Sequence, residues 1–586
     1  MAFFPVLLIV GFAWVRRWTA DDAFINFRIV RQVQNGNGPV FNIGDRVEAG
    51  TSPLWIFILA VVDLFLPLAL EWIAVVLSIA GTALGVGLAV AGARRLHLRE
   101  ANSEWLFPLG AMVYVSLPVA WDFSTSGLET GLSICWIGAS WYVLTRWAAH
   151  SAGLAASAES THANATPTRL TWPVCLLLGA GMYVRPDFLI FTVCFGAAAL
   201  WMLRGQRRRQ VHSLLWLLAL PVVGTLARMA YYGLPVPNTA IAKEASMPSW
   251  QRGWWYLQDL FDPYLLWLSL VLVLVVFAWP LLRRNTAVHP FHRVLTVAAL
   301  FGGLLHGFYI VRLGGDFMHG RMLLPTVFAL ICPVAVARVR GWRTIGLYVI
   351  AAWSAVCMIS LRTPYSTYSE PGKEPRIIDA ISRATNIGDE RIVFRRLSGR
   401  GHPVTLDDFA NSLWGFGAEQ TSNYLDRGGT GFIVDTESNG NFQVYPLAQA
   451  QAERTKAVVY VGALGIYAYR LPRDVWVIDR FGLSNALSAH QRLAGRGRPG
   501  HEKDLPIAWL FAEYTEPGLP LPARIDPAEV EAARAALRCG GIPGLLDAQR
   551  ASLGVSRVFR NATGSLSRWR FRMPTAPLEA AAELCR

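Results

Sequence analysis

Residues 14–55 read WVRRWTADDAFINFRIVRQVQNGNGPVFNIGDRVEAGTSPLW, and the setting of this stretch decides the fold. An apolar segment, Phe3 to Val15, comes just before it, and a second apolar run begins at Thr51-Ser52-Pro53. The adjacent carboxylates Asp21 and Asp22 therefore lie within a few residues of a membrane surface. Ionisable groups at a bilayer are costly and are retained for function. Thr19-Ala20-Asp21-Asp22 also matches a helix capping box, with Thr19 as cap and Asp22 at the third helical position. Two acids adjacent on a helix point different ways. One is expected to face a cavity and the other to cap or to coordinate.

Working outward, the composition demands many membrane spans. The chain has 586 residues, 53% of them hydrophobic and only 16% charged, against about 25% charged in an ordinary soluble domain. The net charge of +14 first signifies basic cytoplasmic loops, and next anionic lipid or phosphate ligands. No basic low-complexity arm points to nucleic acid. No signal-cleavage pattern follows the first apolar segment, which is expected to stay as an anchor.

A spanning helix takes about 20 apolar residues. Candidate spans are 1–15, 70–92, 105–120, 128–145, 171–184, 188–203, 211–231, 260–280, 294–311, 321–337 and 343–361. Arginines follow every even-numbered one: Arg94, Arg95 and Arg99; Arg146; Arg204 and Arg207 to Arg209; Arg283, Arg284 and Arg293; Arg338, Arg340 and Arg343. Those loops are then cytoplasmic, the N-terminus is inside, and everything after about 362 is outside. The run 51–66 is left over. It is short and holds Asp63, and it reads as a re-entrant or interfacial helix; a true span with a different partition downstream is the alternative.

The expected fold is thus a polytopic α-helical membrane domain over 1–361, with a first external loop at 16–50. A soluble α/β domain over 362–586 follows on the outer face. Residues 150–168, small and polar, read as a cytoplasmic linker. In the tail, 457–469 and 475–478 read as strands and 526–537 as a helix. Five cysteines lie in apolar runs; Cys539 and Cys585 lie in the polar tail and are able to pair if the tail is extracytoplasmic.

The outer loops mix acids, bases, amides and glycines, where the inner ones carry mostly arginine. They contribute Glu129, Arg185 and Asp187, Asn238 and Lys243, then Arg312, Asp316, His319 and Arg321. Two arginines and a histidine around Gly314-Gly315 suit a phosphate, with glycine amides free to join and Lys243 as a further point charge. Each of these residues has an equally good reading as an ion pair holding helix ends. His306, inside a span, reads as a packed or hydrogen-bonded histidine. In the tail, His501 and Glu502 sit in a polar cluster before Trp509 and Tyr514, aromatics of the type that stack on sugars.

At these residues the chain resembles the GT-C type polyprenyl-phosphate-dependent glycosyltransferases. The segments TADDAFINFR, NGNGPVFNIGDRVEAGTSPLW, TSGLETG, PNTAIAK and GGDFMHGRMLLP are together similar to the mycobacterial-type terminal β-(1→2)-arabinofuranosyltransferases of cell-wall arabinan. The resemblance covers the whole chain. The N-terminus departs from it in lacking basic residues before the first span. The resemblance implies decaprenyl-phosphoryl-arabinose as donor and arabinogalactan or lipoarabinomannan ends as acceptor. It implies a GT-C fold in the cell membrane, with a periplasmic C-terminal domain that binds carbohydrate. A β donor giving a β product means retention, so Asp21 or Asp22 is expected as nucleophile or base, with a divalent cation as a possible partner of the pair. Arg312, His319, Arg321 and Lys243 are expected at the donor phosphate. Glu129, Arg185, Asp187, Asn238, Asp316, His501 and Glu502 are expected at the sugars. The rival readings are a transferase of another polyprenyl-phosphate sugar such as mannose, and a transporter of lipid-linked sugar.

Overall fold

A computed structural model describes residues 3–97, 105–158, 170–283, 288–362 and 385–586. Arg99, Arg284 and residues 159–168 of the expected linker lie outside the described residues. The first part of that linker, up to Ala158, continues the helix Thr130–Ala158, a correction to the expected loop. Alanine-rich sequence is good helix former and extends a helix that packing has already started.

The chain divides into two compact units. The first comprises Met1–Thr19, Trp72–Val222 and Pro248–Phe394, and the second Ala20–Glu71, Val223–Met247 and Arg395–Arg586.

The first unit is helical and apolar. Leu70–His97 and Arg207–Tyr232, whose residues 70–71 and 223–232 belong to the second unit, and Pro290–Leu313 are long and apolar enough to cross a membrane. Trp250–Phe261 and Leu266–Leu282, bent by 83°, make a fourth if taken as one span. The other apolar segments form shorter or broken helices, such as Phe4–Val15, Trp172–Val184 and Arg343–Ile359. Proline accounts for several of the breaks. Pro118 opens the helix Pro118–Phe123 after Leu109–Val115 has ended, and Pro186 opens a 3-10 turn before Leu189–Met202. β1 (Leu106–Phe107) and β2 (Ala337–Arg338) form a two-stranded antiparallel ribbon.

The second unit holds a four-stranded sheet: β3 (Gly431–Asp435), β4 (Gln443–Tyr445), β5 (Ala457–Val461) and β6 (Trp476–Asp479). Their order is β4-β3-β5-β6, with β3, β5 and β6 parallel and β4 an antiparallel edge. Every residue of β3, β5 and β6 is buried, as expected of parallel strands covered on both faces. The expected strand 457–469 is corrected: it stops at Val461, and Gly465–Arg470 is a helix joining β5 to β6. The core packs Phe432, Val458, Trp476, Trp509, Phe511 and Tyr514 together. Trp509 and Tyr514 are fully buried there, so neither presents a ring to a sugar. The helix Pro527–Ala536 forms as expected, with Asp526 as its cap. Cys539 is bonded to Cys585, with Cα atoms 5.1 Å apart.

Candidate active site

In the second unit the helix Asp21–Gln34 begins at the acidic pair. Its N-cap is Ala20, not Thr19, and no side chain caps it. The capping box is therefore absent, and Asp21 and Asp22 both lie in the first turn. Asp21 serves a different helix. Its Oδ2 accepts from the Gly465 amide at 3.0 Å, and its Oδ1 from the Ile466 amide at 2.7 Å. These are the first amides of Gly465–Arg470, the end that attracts anions. Residue 465 has to be glycine, since a Cβ there would lie 1.9 Å from the Asp21 carbonyl oxygen. Burial raises the Asp21 carboxyl to about 6 and the charge of Asp22 adds to the rise; the two amides oppose it.

The rest of that helix is stitched to the same β5–β6 connection. Arg28, 2% exposed, donates to the carbonyls of Phe41, Ala468 and Val475. Arg31 stacks on Tyr469, 3.5 Å from the ring centroid, and Gln32 donates to the Arg473 carbonyl at 2.9 Å. Polar residues of an amphipathic helix thus face the protein, each satisfied by a carbonyl.

Four other predicted residues gather in this unit. Asn238 is buried and donates to the Gly482 carbonyl at 2.7 Å. Lys243 runs beside Gly500, where a Cβ would lie 3.1 Å from its Cε. Glu502 accepts from the Gly497 amide at 2.9 Å and pairs with Arg496 at 3.0 Å. The His501 ring packs on Phe481 at 4.7 Å. Beneath them Lys503 and Arg572 share Glu244, at 2.6 and 2.7 Å. Burial drives the Lys503 ammonium down to about 8 despite that partner.

In the first unit the predicted residues form two ion-paired groups. Arg185 bridges Glu129 at 2.5 Å and Asp187 at 3.0 Å. Asp187 also meets His306 Nε2 at 2.8 Å, and His306 Nδ1 meets Thr326 Oγ1 at 2.8 Å, so His306 is the satisfied core histidine that its position suggested. Arg321 pairs with Asp316 at 2.6 Å. Arg312 lies in the last turn of Pro290–Leu313. The Gly314 and Gly315 amides bond back to Val311 and Ile310. The expectation that they are free for an anion is therefore corrected: they terminate the helix.

His319 leads to residues that sequence reasoning missed. Its Nδ1 meets Asp259 Oδ2 at 2.6 Å and its Nε2 the Tyr264 hydroxyl at 2.9 Å. Burial pushes the imidazole down, but Asp259, with Asp389 and Asp122 behind it, raises it on balance. Asp122 is held by Arg16 at 2.6 and 2.7 Å and by Arg391 at 3.5 Å. Burial, and then Asp122, raise Asp389 above the ordinary carboxylate range, against Arg16 and His319. The one available signal for Asp122 was its place in the outer loop WDFSTSGLETG; Asp259 and Asp389 lie far from it and from each other in sequence.

A divalent cation between Asp21 and Asp22 does not suit this donor set. Asp21 spends both oxygens on amides, and among the described residues no three His, Cys, Asp or Glu side chains converge on a point.

Comparison with known proteins covers nearly the whole chain. Residues 421–574 match the AftB family C-terminal domain. A "Terminal beta-(1->2)-arabinofuranosyltransferase" of Mycobacterium tuberculosis is 31% identical over 96% of this chain and 94% of its own length. One of the same name from Corynebacterium glutamicum is 32% identical over 94% of this chain and 83% of its own. No solved structure matches.

Proposed function

Because the chain belongs to the terminal β-(1→2)-arabinofuranosyltransferase family, we propose that it transfers arabinofuranose to the non-reducing ends of arabinan through a β-(1→2) linkage. The observation that carries this reading is the alignment of both relatives along at least 94% of the chain. The donor we assign is decaprenyl-phosphoryl-arabinose, and the acceptors are the arabinan termini of arabinogalactan and lipoarabinomannan.

In the transfer, the donor C1–O bond to phosphate breaks and a C1–O bond to the acceptor hydroxyl forms. The hydroxyl proton goes to a base, and the phosphate leaves as an anion without needing an acid. Retention calls for a carboxylate that attacks C1 and is displaced in turn, or for attack on the leaving-group face. We give the carboxylate role to Asp22. The engagement of both Asp21 oxygens by the Gly465 and Ile466 amides supports this choice. Asp21 then fixes the first turn from which Asp22 projects. In the second unit we keep Lys243 as a cation suited to phosphate, and in the first we keep Arg312 for the donor phosphate. His319 and Arg321 act there with their acids, Asp259 and Asp316. Glu129 and Asp187 hold Arg185, while Asn238, His501 and Glu502 shape the glycan-binding side. No step is routed through a metal.

We place the enzyme in the cell membrane, with the N-terminus cytoplasmic and residues after about 362 periplasmic. Arginine-rich loops after alternate apolar segments support that topology. So does the Cys539–Cys585 bond, since disulfides persist outside the cytoplasm. Eleven spans with one interfacial helix, Pro53–Asp63, is the count we propose.

The test is transfer from synthetic decaprenyl-phosphoryl-arabinose to a short arabinan by the purified chain, with the product linkage read by NMR. A β-(1→2) product is expected. Folded, donor-binding protein that transfers nothing, or that transfers mannose from a mannosyl donor instead, overturns the reading.

A further inference from the structure

The helix Val555–Arg570 is amphipathic the wrong way round for a helix on a soluble protein. Its protein-facing side is polar. Asn561 and Ser565 are fully buried, and Asn561 donates to the carbonyls of Ala230 and Ala548 at 3.1 and 3.0 Å. Arg568 donates to the Gly233 carbonyl at 3.0 Å, and Arg557 pairs with Asp547 at 2.5 Å. The apolar stripe faces outward instead. Val555 is 90% exposed, Phe559 69%, Leu566 53% and Val558 40%. These positions follow the i, i+3, i+4 and i+11 spacing of a single helix face. Arg560 and Arg570 are exposed on its flank.

A contiguous exposed apolar stripe marks a binding surface, and the attachment of this helix says what covers it. Asn561 and Arg568 hold carbonyls at the end of Arg207–Tyr232, a helix long and apolar enough to cross a membrane. That end carries Tyr231 and Tyr232, the aromatic type that sits at headgroup level. A helix moored where a span emerges, with apolar residues outward and arginines beside them, has the composition of an interfacial helix.

We propose that Val555–Arg570 lies in the bilayer interface, with Val555, Val558, Phe559 and Leu566 among the acyl chains and Arg560 and Arg570 against anionic lipid headgroups. This rests on the membrane reading alone and holds whatever sugar is transferred. It gives the C-terminal part of the chain a second hold on the membrane.

The test uses the full chain in nanodiscs of phosphatidylcholine, with or without phosphatidylglycerol. Spin labels are placed at Phe559→Cys, Leu566→Cys and, as the polar control, Ser567→Cys, which is exposed and about 100° around the helix from Leu566, and read against unsubstituted protein. Labels at 559 and 566 are expected to collide readily with oxygen and rarely with a water-soluble nickel chelate, at depths of about 5–10 Å. The label at 567 is expected to show the reverse. If 559 meets the chelate as often as 567, the stripe faces water and the proposal fails. If 559 is shielded from both reagents, protein covers the stripe, as in a second copy or a protein partner, and the proposal fails again. In the Arg560→Gln/Arg570→Gln variant the depth at 559 should fall only in discs containing phosphatidylglycerol. An equal depth in both discs for the unsubstituted helix overturns the headgroup assignment.

Discussion

Asp21 Oδ1 accepts the Ile466 amide at 2.7 Å across 445 residues of chain. One acid of the first-loop pair is thereby the cap of a helix in the C-terminal region, and the functions of the two acids separate. If Asp22 supplies the reacting carboxylate, Asp22→Asn should lower kcat by about 10²–10⁴-fold. Asp21→Ala should cost about 1 kcal/mol of stability, the usual effect of losing a cap, with a smaller loss of rate. Turnover and thermal unfolding of both variants check this. A fully active Asp22→Asn would exclude the assignment.

Gly465 gives a sharper steric prediction. A methyl group there would meet the Asp21 backbone oxygen at 1.9 Å, so backbone rather than a flexible side chain must yield. Gly465→Ala should destabilise the protein by about 1–3 kcal/mol, the range for overpacking. Gly544→Ala, where a Cβ meets nothing within 4 Å, is the matched control. Denaturant midpoints should separate the two.

The apolar helices were legible because hydropathy is a local property. The candidate span 70–92 lies within the helix Leu70–His97, and 294–311 within Pro290–Leu313. The partners of the site residues were not legible. Asp21 and Gly465 meet through the folding of the β5–β6 connection, which no spacing rule reaches. Asp122, Asp259 and Asp389 are far apart in sequence and become a group only around Arg16 and His319. Trp509 and Tyr514 misled for a related reason. They follow a run of charges, but the helix Ile507–Tyr514 turns both rings into the core. Gly314 and Gly315 looked like free amides because a helix end and an anion site call for the same residues.

His319 offers a pH test. Its folded value is raised, burial being outweighed by Asp259. Its contribution to stability is therefore fully present below about 6.5, the unfolded value, and is lost as pH rises through the folded value. Asp259→Asn removes the main raising causes and leaves burial acting downward, so the loss of stability with rising pH should shrink or vanish in the variant. Melting temperatures from acid to mildly alkaline pH should show a gap between wild type and variant that is widest at acid pH and narrows as pH rises. A constant offset between wild type and variant would refute the coupling.

Arg28 tests whether the first-loop helix and the β5–β6 connection are one structural element. A buried guanidinium donating to the Phe41, Ala468 and Val475 carbonyls is costly to place and costlier to lose. Burial lowers its pKa to about 9, and the neighbouring Arg31 adds to the effect. Arg28→Met fills much of the same volume and leaves those carbonyls without a donor. Each costs about 1–3 kcal/mol when left unpaired, so the variant should unfold well below wild type. Because Arg28 lies on the helix that starts at Asp21, its loss should also expose the 465–475 backbone. Hydrogen exchange should accelerate there and in 21–34 together. Faster exchange in 21–34 alone would show that the two segments hold their structure independently, and that Asp21 is positioned by its own helix rather than by Gly465 and Ile466.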